Sequence, residues 1–277
     1  MTAFEPPPHP STKEYLGKGR RPLALALLLV VALRPAPCRG DELSVNVPAA
    51  GAITAAAVVA FGVLELTGSR LTPPTCRWCE PPGLDRNVRL HLRWSDTHLA
   101  STLSNVGVAL VPASLLVTDV ALAGGFNRAG EDLLVVLESI AVTEVATDVL
   151  KYATARRRPD AWASGIRTDP GSDNSFVSGH ASAAFASAAA FGTVAMLRGY
   201  AGWPIVYAVG FTGATAVSYF RVAADRHWLT DVAAGAALGT AVGVGLPLLL
   251  HRRAHEADGR SASIVITPMP LGVAGVF

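Results

Sequence analysis

Residues 203–250 read WPIVYAVGFTGATAVSYF-RVAADRHW-LTDVAAGAALGTAVGVGLPLLL, two apolar runs separated by eight residues that carry most of the charge. Each run approaches or exceeds the ~20 residues needed to cross a hydrocarbon layer as a helix. Gly and Ala recur through both, which suits helices that approach one another closely. Neither run shows the two-residue alternation of a half-buried strand. The stretch therefore predicts a pair of close-packed, membrane-type helices, with its polar residues gathered at the joint between them.

Working outward, further apolar stretches occur at about 48–66, 100–125, 131–150 and 180–198, each bounded by Gly, Pro or charge. Apolar residues make up 51% of the 277 and charged residues 16%, well under the ~25% charged of an average soluble chain. The expected fold is all-α: a membrane-embedded bundle of about six helices with a short extended tail, in which Ser263–Thr267 could form a strand. Three regions are expected: a polar stretch and signal-like segment (1–40), a helical domain (41–255) and a tail (256–277). The 131–150 segment carries Glu131, Asp132, Glu138, Glu144 and Asp148. Lipid-facing carboxylates are costly, so these must face the interior, pair with cations, or belong to a soluble helix. The formal net charge of +2, with no basic run interleaved with aromatics, argues against a nucleic-acid partner.

Residues 23–33 (LALALLLVVAL), behind Arg20 and Arg21, are too short to span and read as a secretory signal. Cleavage near Gly40 would remove Cys38 and leave Cys76 and Cys79, which in an exported chain form a candidate disulfide. A signal peptide conflicts with six spans. With Arg252 and Arg253 inside, residues 151–180 and 221–227 fall outside, and the chain must then begin inside. Either 23–33 is retained or 48–66 does not cross.

Three clusters carry chemistry, and each lies at a helix boundary. Lys151 and Arg158 stand seven apart at the end of an apolar helix that Pro159 terminates; alone, they could simply complement a helix dipole. Ser178-Gly179-His180 opens a helix of small residues, where free amides make an anion site and His180 can exchange a proton; alone, this could be an ordinary cap. In Arg221-x5-His227-x3-Asp231 the last two are four apart and share a helix face. The carboxylate can fix the tautomer of the imidazole and leave the other nitrogen as a nucleophile, while Arg221 offers a planar fork to phosphate oxygens.

Taken together, Lys151-x6-Arg158-Pro159, Val177-Ser178-Gly179-His180 and Phe220-Arg221-x5-His227-x3-Asp231 resemble the signature of the type 2 phosphatidic acid phosphatase superfamily. That family also includes class A acid phosphatases and vanadium haloperoxidases. The resemblance covers roughly residues 131–250, with Val177 in place of a Pro and Phe220 in place of a Ser. It implies that His227 attacks phosphorus, that Asp231 orients it, and that His180 protonates the leaving alcohol and then activates water. Lys151, Arg158, Arg221 and the amides of Ser178 and Gly179 would hold the phosphoryl oxygens. Three fixed cations can replace Mg²⁺, and no dense carboxylate cluster accompanies the motifs, so neither a metal nor another cofactor is expected.

The expected substrate is a phosphate monoester or pyrophosphate on a lipid, of the phosphatidic acid or polyprenyl diphosphate class. The enzyme is expected in a bacterial-type inner membrane with its site facing the periplasm. A soluble periplasmic acid phosphatase is the main alternative. A haloperoxidase and a non-catalytic lipid-phosphate-binding protein follow.

Overall fold

A computed structural model describes residues 42–123, 126–167, 170–252, 267–269 and 272–274. The signal-like segment 23–33 and most of the expected tail strand lie outside them. Among the described residues the chain forms α1 (Val47–Leu71), α2 (Gly83–Leu92), α3 (Thr97–Ala123), α4 (Phe126–Thr154), α5 (Pro159–Ser164), α6 (Gly179–Leu197), α7 (Trp203–Ala223) and α8 (Leu229–Leu250). Near the C-terminus, β1 (Thr267–Met269) pairs antiparallel with β2 (Gly272–Ala274). The six long helices match the six apolar stretches. The two short ones, α2 and α5, were not expected; both are too short and too polar for apolar periodicity to mark them.

Local chemistry sets the ends. Asn46 caps α1 through the Ala49 amide, and Pro159 starts α5, which stops at Gly165 with φ 68°. Trp228 donates its amide to Asp231 Oδ2 (2.8 Å), so the carboxylate that closes the Arg-x5-His-x3-Asp motif also caps α8.

α6 is the axis of the bundle and is buried along most of its length. Gly235, Gly239 and Gly243 put one glycine per turn on the face of α8 that meets it. A Cβ at Gly239 would overlap the Ser182 carbonyl oxygen, and one at Gly243 would lie 2.6 Å from the Ala186 carbonyl. Without side chains between them the two backbones touch, which joins the motifs at the starts of both helices rigidly.

α1, α3, α6, α7 and α8 are each long and apolar enough to cross a membrane. α1 and α3 turn much of their apolar surface outward, with Leu66 85% and Val117 71% exposed, as lipid contact requires and water does not tolerate. α4 turns three of its five carboxylates fully inward. Asp132, Glu138 and Asp148 are fully buried. They meet Arg198 (2.7 Å), His251 (2.8 Å) and Lys151 (2.9 Å), so each of these three has a cationic or titratable partner.

Candidate active site

The C-termini of α4 and α7 and the N-termini of α6 and α8 converge at one end of the bundle, and all eight residues singled out from the motifs lie there. Lys151 ends α4 and is held by Asp148 from its own last turn. Its Nζ stands 3.4 Å from the point where a Gly179 side chain would begin, so glycine is what lets the ammonium reach the α6 N-terminus. Arg158 gives Nε to the Gly171 carbonyl (2.7 Å), Nη1 to Arg226 (3.1 Å) and Nη2 to Asn174 (3.3 Å), which fixes the plane of its guanidinium. Arg221, 6% exposed, gives Nη1 to Ser104 Oγ (3.1 Å) and has a buried Nε with no partner among the described residues.

Ser178 occupies the N-cap position of α6, but its hydroxyl makes no capping bond and is buried without a partner among the described residues. Its amide donates to the Asp231 carbonyl (3.1 Å). That corrects the expected cradle: the Ser178 amide is committed to the protein, and the group it offers an anion is its hydroxyl. Gly179, at the first helical position, keeps an amide that no intrahelical bond uses.

His227 is 3% exposed, in the loop between α7 and α8. Its Nδ1 lies 2.8 Å from the Ser175 carbonyl and 3.7 Å from Asp231 Oδ2. The expected direct Asp231–His227 hydrogen bond is therefore replaced. A carbonyl only accepts, so Nδ1 carries the proton and Nε2 is left with a free lone pair. Asp231 instead holds Ser175 Oγ (2.5 Å), the Trp228 amide and Arg156, and stands beside the imidazole as a charge. Burial, and then the cations Arg158 and Arg221, push the His227 pKa well below its usual value, which keeps the ring neutral.

His180, on the first turn of α6, places Nε2 2.8 Å from Asn105 Oδ1 on α3. Asn105 was not singled out in the sequence, although an Asn within an otherwise apolar spanning segment is itself a signal. Arg156 was also passed over, hidden among three successive arginines. Cys76 and Cys79 are bonded to each other in the loop before α2. Of the two departures from the family signature, Val177 is buried and Phe220 packs edge-on against Trp94 (5.7 Å) at the mouth of an apolar groove.

The groove, about 530 Å³, runs along the α3–α7 seam from Gly107 and Phe220 past Val111, Ser114, Gly210 and Gly213. It begins within a turn of Asn105 and Arg221. Beyond them, Ser101, His98, Arg93 and Arg226 line a polar pocket of about 330 Å³.

Residues 132–254 match the model of the PAP2 superfamily. Over 93 residues the chain is 37% identical to the lipid A 1-phosphatase of Porphyromonas gingivalis, a match covering 34% of this chain and 18% of that protein. It is also loosely similar, at TM-score 0.44 and 15% identity, to the transmembrane PAP2-type phosphatidylglycerolphosphate phosphatase of Bacillus subtilis. That likeness covers 72% of this chain and 94% of the other. The matched segment, residues 132–254, is the one that presents all three motifs.

Proposed function

We propose that the protein is a phosphatase of membrane lipids, hydrolysing a phosphate monoester or pyrophosphate through a phosphohistidine on His227 and without a metal cofactor. The observation that carries this reading is the state of His227. It is buried and neutral, its Nδ1 proton is held by Ser175, and its free Nε2 lies in the field of Arg158, Arg221 and Lys151.

In the first step Nε2 attacks phosphorus and the bond to the leaving oxygen breaks. His180 supplies the proton to that oxygen, and Asp231 offsets the positive charge gained by the His227 ring. In the second step water attacks the phosphohistidine, His180 takes the water's proton, and inorganic phosphate departs. Lys151, Arg158, Arg221, the Ser178 hydroxyl and the Gly179 amide hold the phosphoryl oxygens. Such catalysis is chiefly positioning and charge stabilisation, which fixed cations supply.

The lipid part of the reading rests on the α3–α7 groove, whose apolar lining starts beside His180 and Arg221 and suits an acyl or prenyl chain. The lipid A 1-phosphatase similarity points to the same substrate class. The site is assigned to the periplasmic face of a bacterial-type inner membrane, as the Cys76–Cys79 bond favours.

The purified protein, in detergent with EDTA, should release phosphate from phosphatidic acid, a polyprenyl diphosphate or a glycolipid phosphate in mixed micelles. It should do so faster than from a soluble sugar phosphate. Brief labelling and an alkaline quench should trap an acid-labile, base-stable adduct. Turnover that requires added metal, or that prefers the soluble ester, would overturn the reading.

A further inference from the structure

We propose that Arg156 is a positioning residue for the reaction, acting on the nucleophile His227 through Asp231 and Ser175 without itself meeting the substrate. This rests on the phosphatase reading of the same site.

Arg156 lies in the six-residue spacer between Lys151 and Arg158, where the motif asks for nothing. The backbone separates their fates. α4 ends at Thr154, and Ala155 takes φ 43° while fully buried, a left-handed turn that a non-glycine residue adopts only under surrounding constraint. Arg156 then points inward, 1% exposed, while Arg158 two residues on joins the loops around the site.

The interior that receives Arg156 is built for a guanidinium. Nη2 donates to Asp85 Oδ2 (2.6 Å), and Nη1 donates to Thr230 Oγ1 (2.7 Å) and to Asp231 Oδ1. Asp85 also accepts from the Thr230 amide (3.0 Å) and hydroxyl (2.7 Å), which closes the network. The guanidinium carbon sits over the Trp78 ring, 3.8 Å from its centroid. Trp78 sits inside the Cys76–Cys79 loop, which pairs alongside this segment through Arg77 N–H to the Ala155 carbonyl and Arg157 N–H to the Trp78 carbonyl (3.0 Å each).

Two groups face His227 Nδ1, and Arg156 grips both. Its side chain anchors Asp231 Oδ1, which leaves Oδ2 to Ser175 Oγ and turned toward the ring at 3.7 Å. Its backbone carbonyl accepts from the Ser175 amide (2.9 Å), and the Ser175 carbonyl is the direct partner of Nδ1. As Nε2 bonds to phosphorus the ring becomes cationic, and the carboxylate and carbonyl that stabilise it must already be in place. A free Asp231 would have to reorganise within the reaction. Because Arg156 meets the reaction's charge only through these groups, its loss should lower kcat and spare KM, unlike loss of Arg158 or Arg221.

The test uses the full chain in detergent, phosphatidic acid in mixed micelles and p-nitrophenyl phosphate, and the rate of phosphohistidine formation. Arg156→Lys keeps a charge but cannot bridge Asp85, Thr230 and Asp231 together. It should lower kcat and phosphohistidine formation by about tenfold or more with KM within about threefold of wild type. In an Asp231→Asn background the same change should cost little more, since the path through Asp231 is already broken. A raised KM at wild-type kcat, or the same loss in both backgrounds, overturns the inference. If Arg156→Lys does not fold, Trp78→Leu, which leaves every ionic partner in place, carries the test. A several-fold fall in kcat at constant KM supports positioning, and wild-type kcat overturns it. A wild-type protein that releases no phosphate overturns the phosphatase reading itself, whereas an active wild type with an unchanged variant overturns this inference alone.

Discussion

The two ends of the bundle both bury charge, and they do so in different ways. At the end away from the motifs, Arg198 is closed by Asp132 and Glu131, Tyr200 adds a hydrogen bond to Asp132, and His251 is matched to Glu138. At the motif end, Lys151, Arg158 and Arg221 surround one imidazole, and the Ser178 hydroxyl and Arg221 Nε are donors with no acceptor among the described residues. Buried donors are ordinarily satisfied. At the first end the buried atoms without a partner among the described residues, Asp119 Oδ2, Glu138 Oε1 and His251 Nδ1, include no arginine or lysine donor, and the paired charges there hold helices together. The Ser178 hydroxyl and Arg221 Nε at the second, beside three cations, suit an anion, and the rest of the fold bears the cost of leaving them buried.

The sharpest way to break this contrast is to remove the proposed nucleophile. His227→Ala should lose about 10⁴-fold or more in kcat and form no phosphohistidine, because no other group is placed to attack. Label trapped in that variant would mean the nucleophile lies elsewhere. His180→Ala should be severely impaired with alkyl phosphates and much less so with p-nitrophenyl phosphate, whose leaving phenolate needs no proton. Equal impairment with both would remove His180 from the role of acid.

Next in size are the cations. Arg221→Lys keeps the charge and loses the planar fork, and should reduce kcat/KM about tenfold to a hundredfold while leaving the melting temperature nearly unchanged. Arg198→Met at the opposite end should show the reverse: a loss of stability of about 3–5 kcal/mol from the stranded Asp132, with activity per folded molecule kept. If Arg198→Met lowers turnover without unfolding, the two ends are not functionally distinct.

Smaller is an effect of pH on stability. His227 has a folded pKa below its unfolded value, so the neutral ring contributes stability that is complete above about pH 6.5 and is lost as pH falls toward the folded value. Between pH 7 and 5 the melting temperature of wild type should therefore fall more steeply than that of His227→Asn. Parallel slopes would show that the ring is not held neutral.

Sequence alone determined the outline of this protein. Uninterrupted apolar runs produce helices because such stretches can satisfy every backbone group internally, and their Gly and Ala content marks close packing. The spacing of Lys151, Arg158, His180, Arg221, His227 and Asp231 was readable because each cluster sits at a helix end, where local geometry dictates direction. What the sequence left open depended on contacts between distant segments. The four-residue spacing of His227 and Asp231 suggested a bond, yet the chain brings the Ser175 carbonyl from 52 residues away to the imidazole and draws the carboxylate to Arg156. Asp85, 145 residues from Thr230, and Asn105, 75 residues from His180, enter the site only because α2 and α3 pack across it. Helix ends are a local property that few residues decide. Which partner a buried donor finds is settled by the packing of the whole bundle, because burial makes every unsatisfied group costly and the nearest acceptor in space is rarely the nearest in sequence.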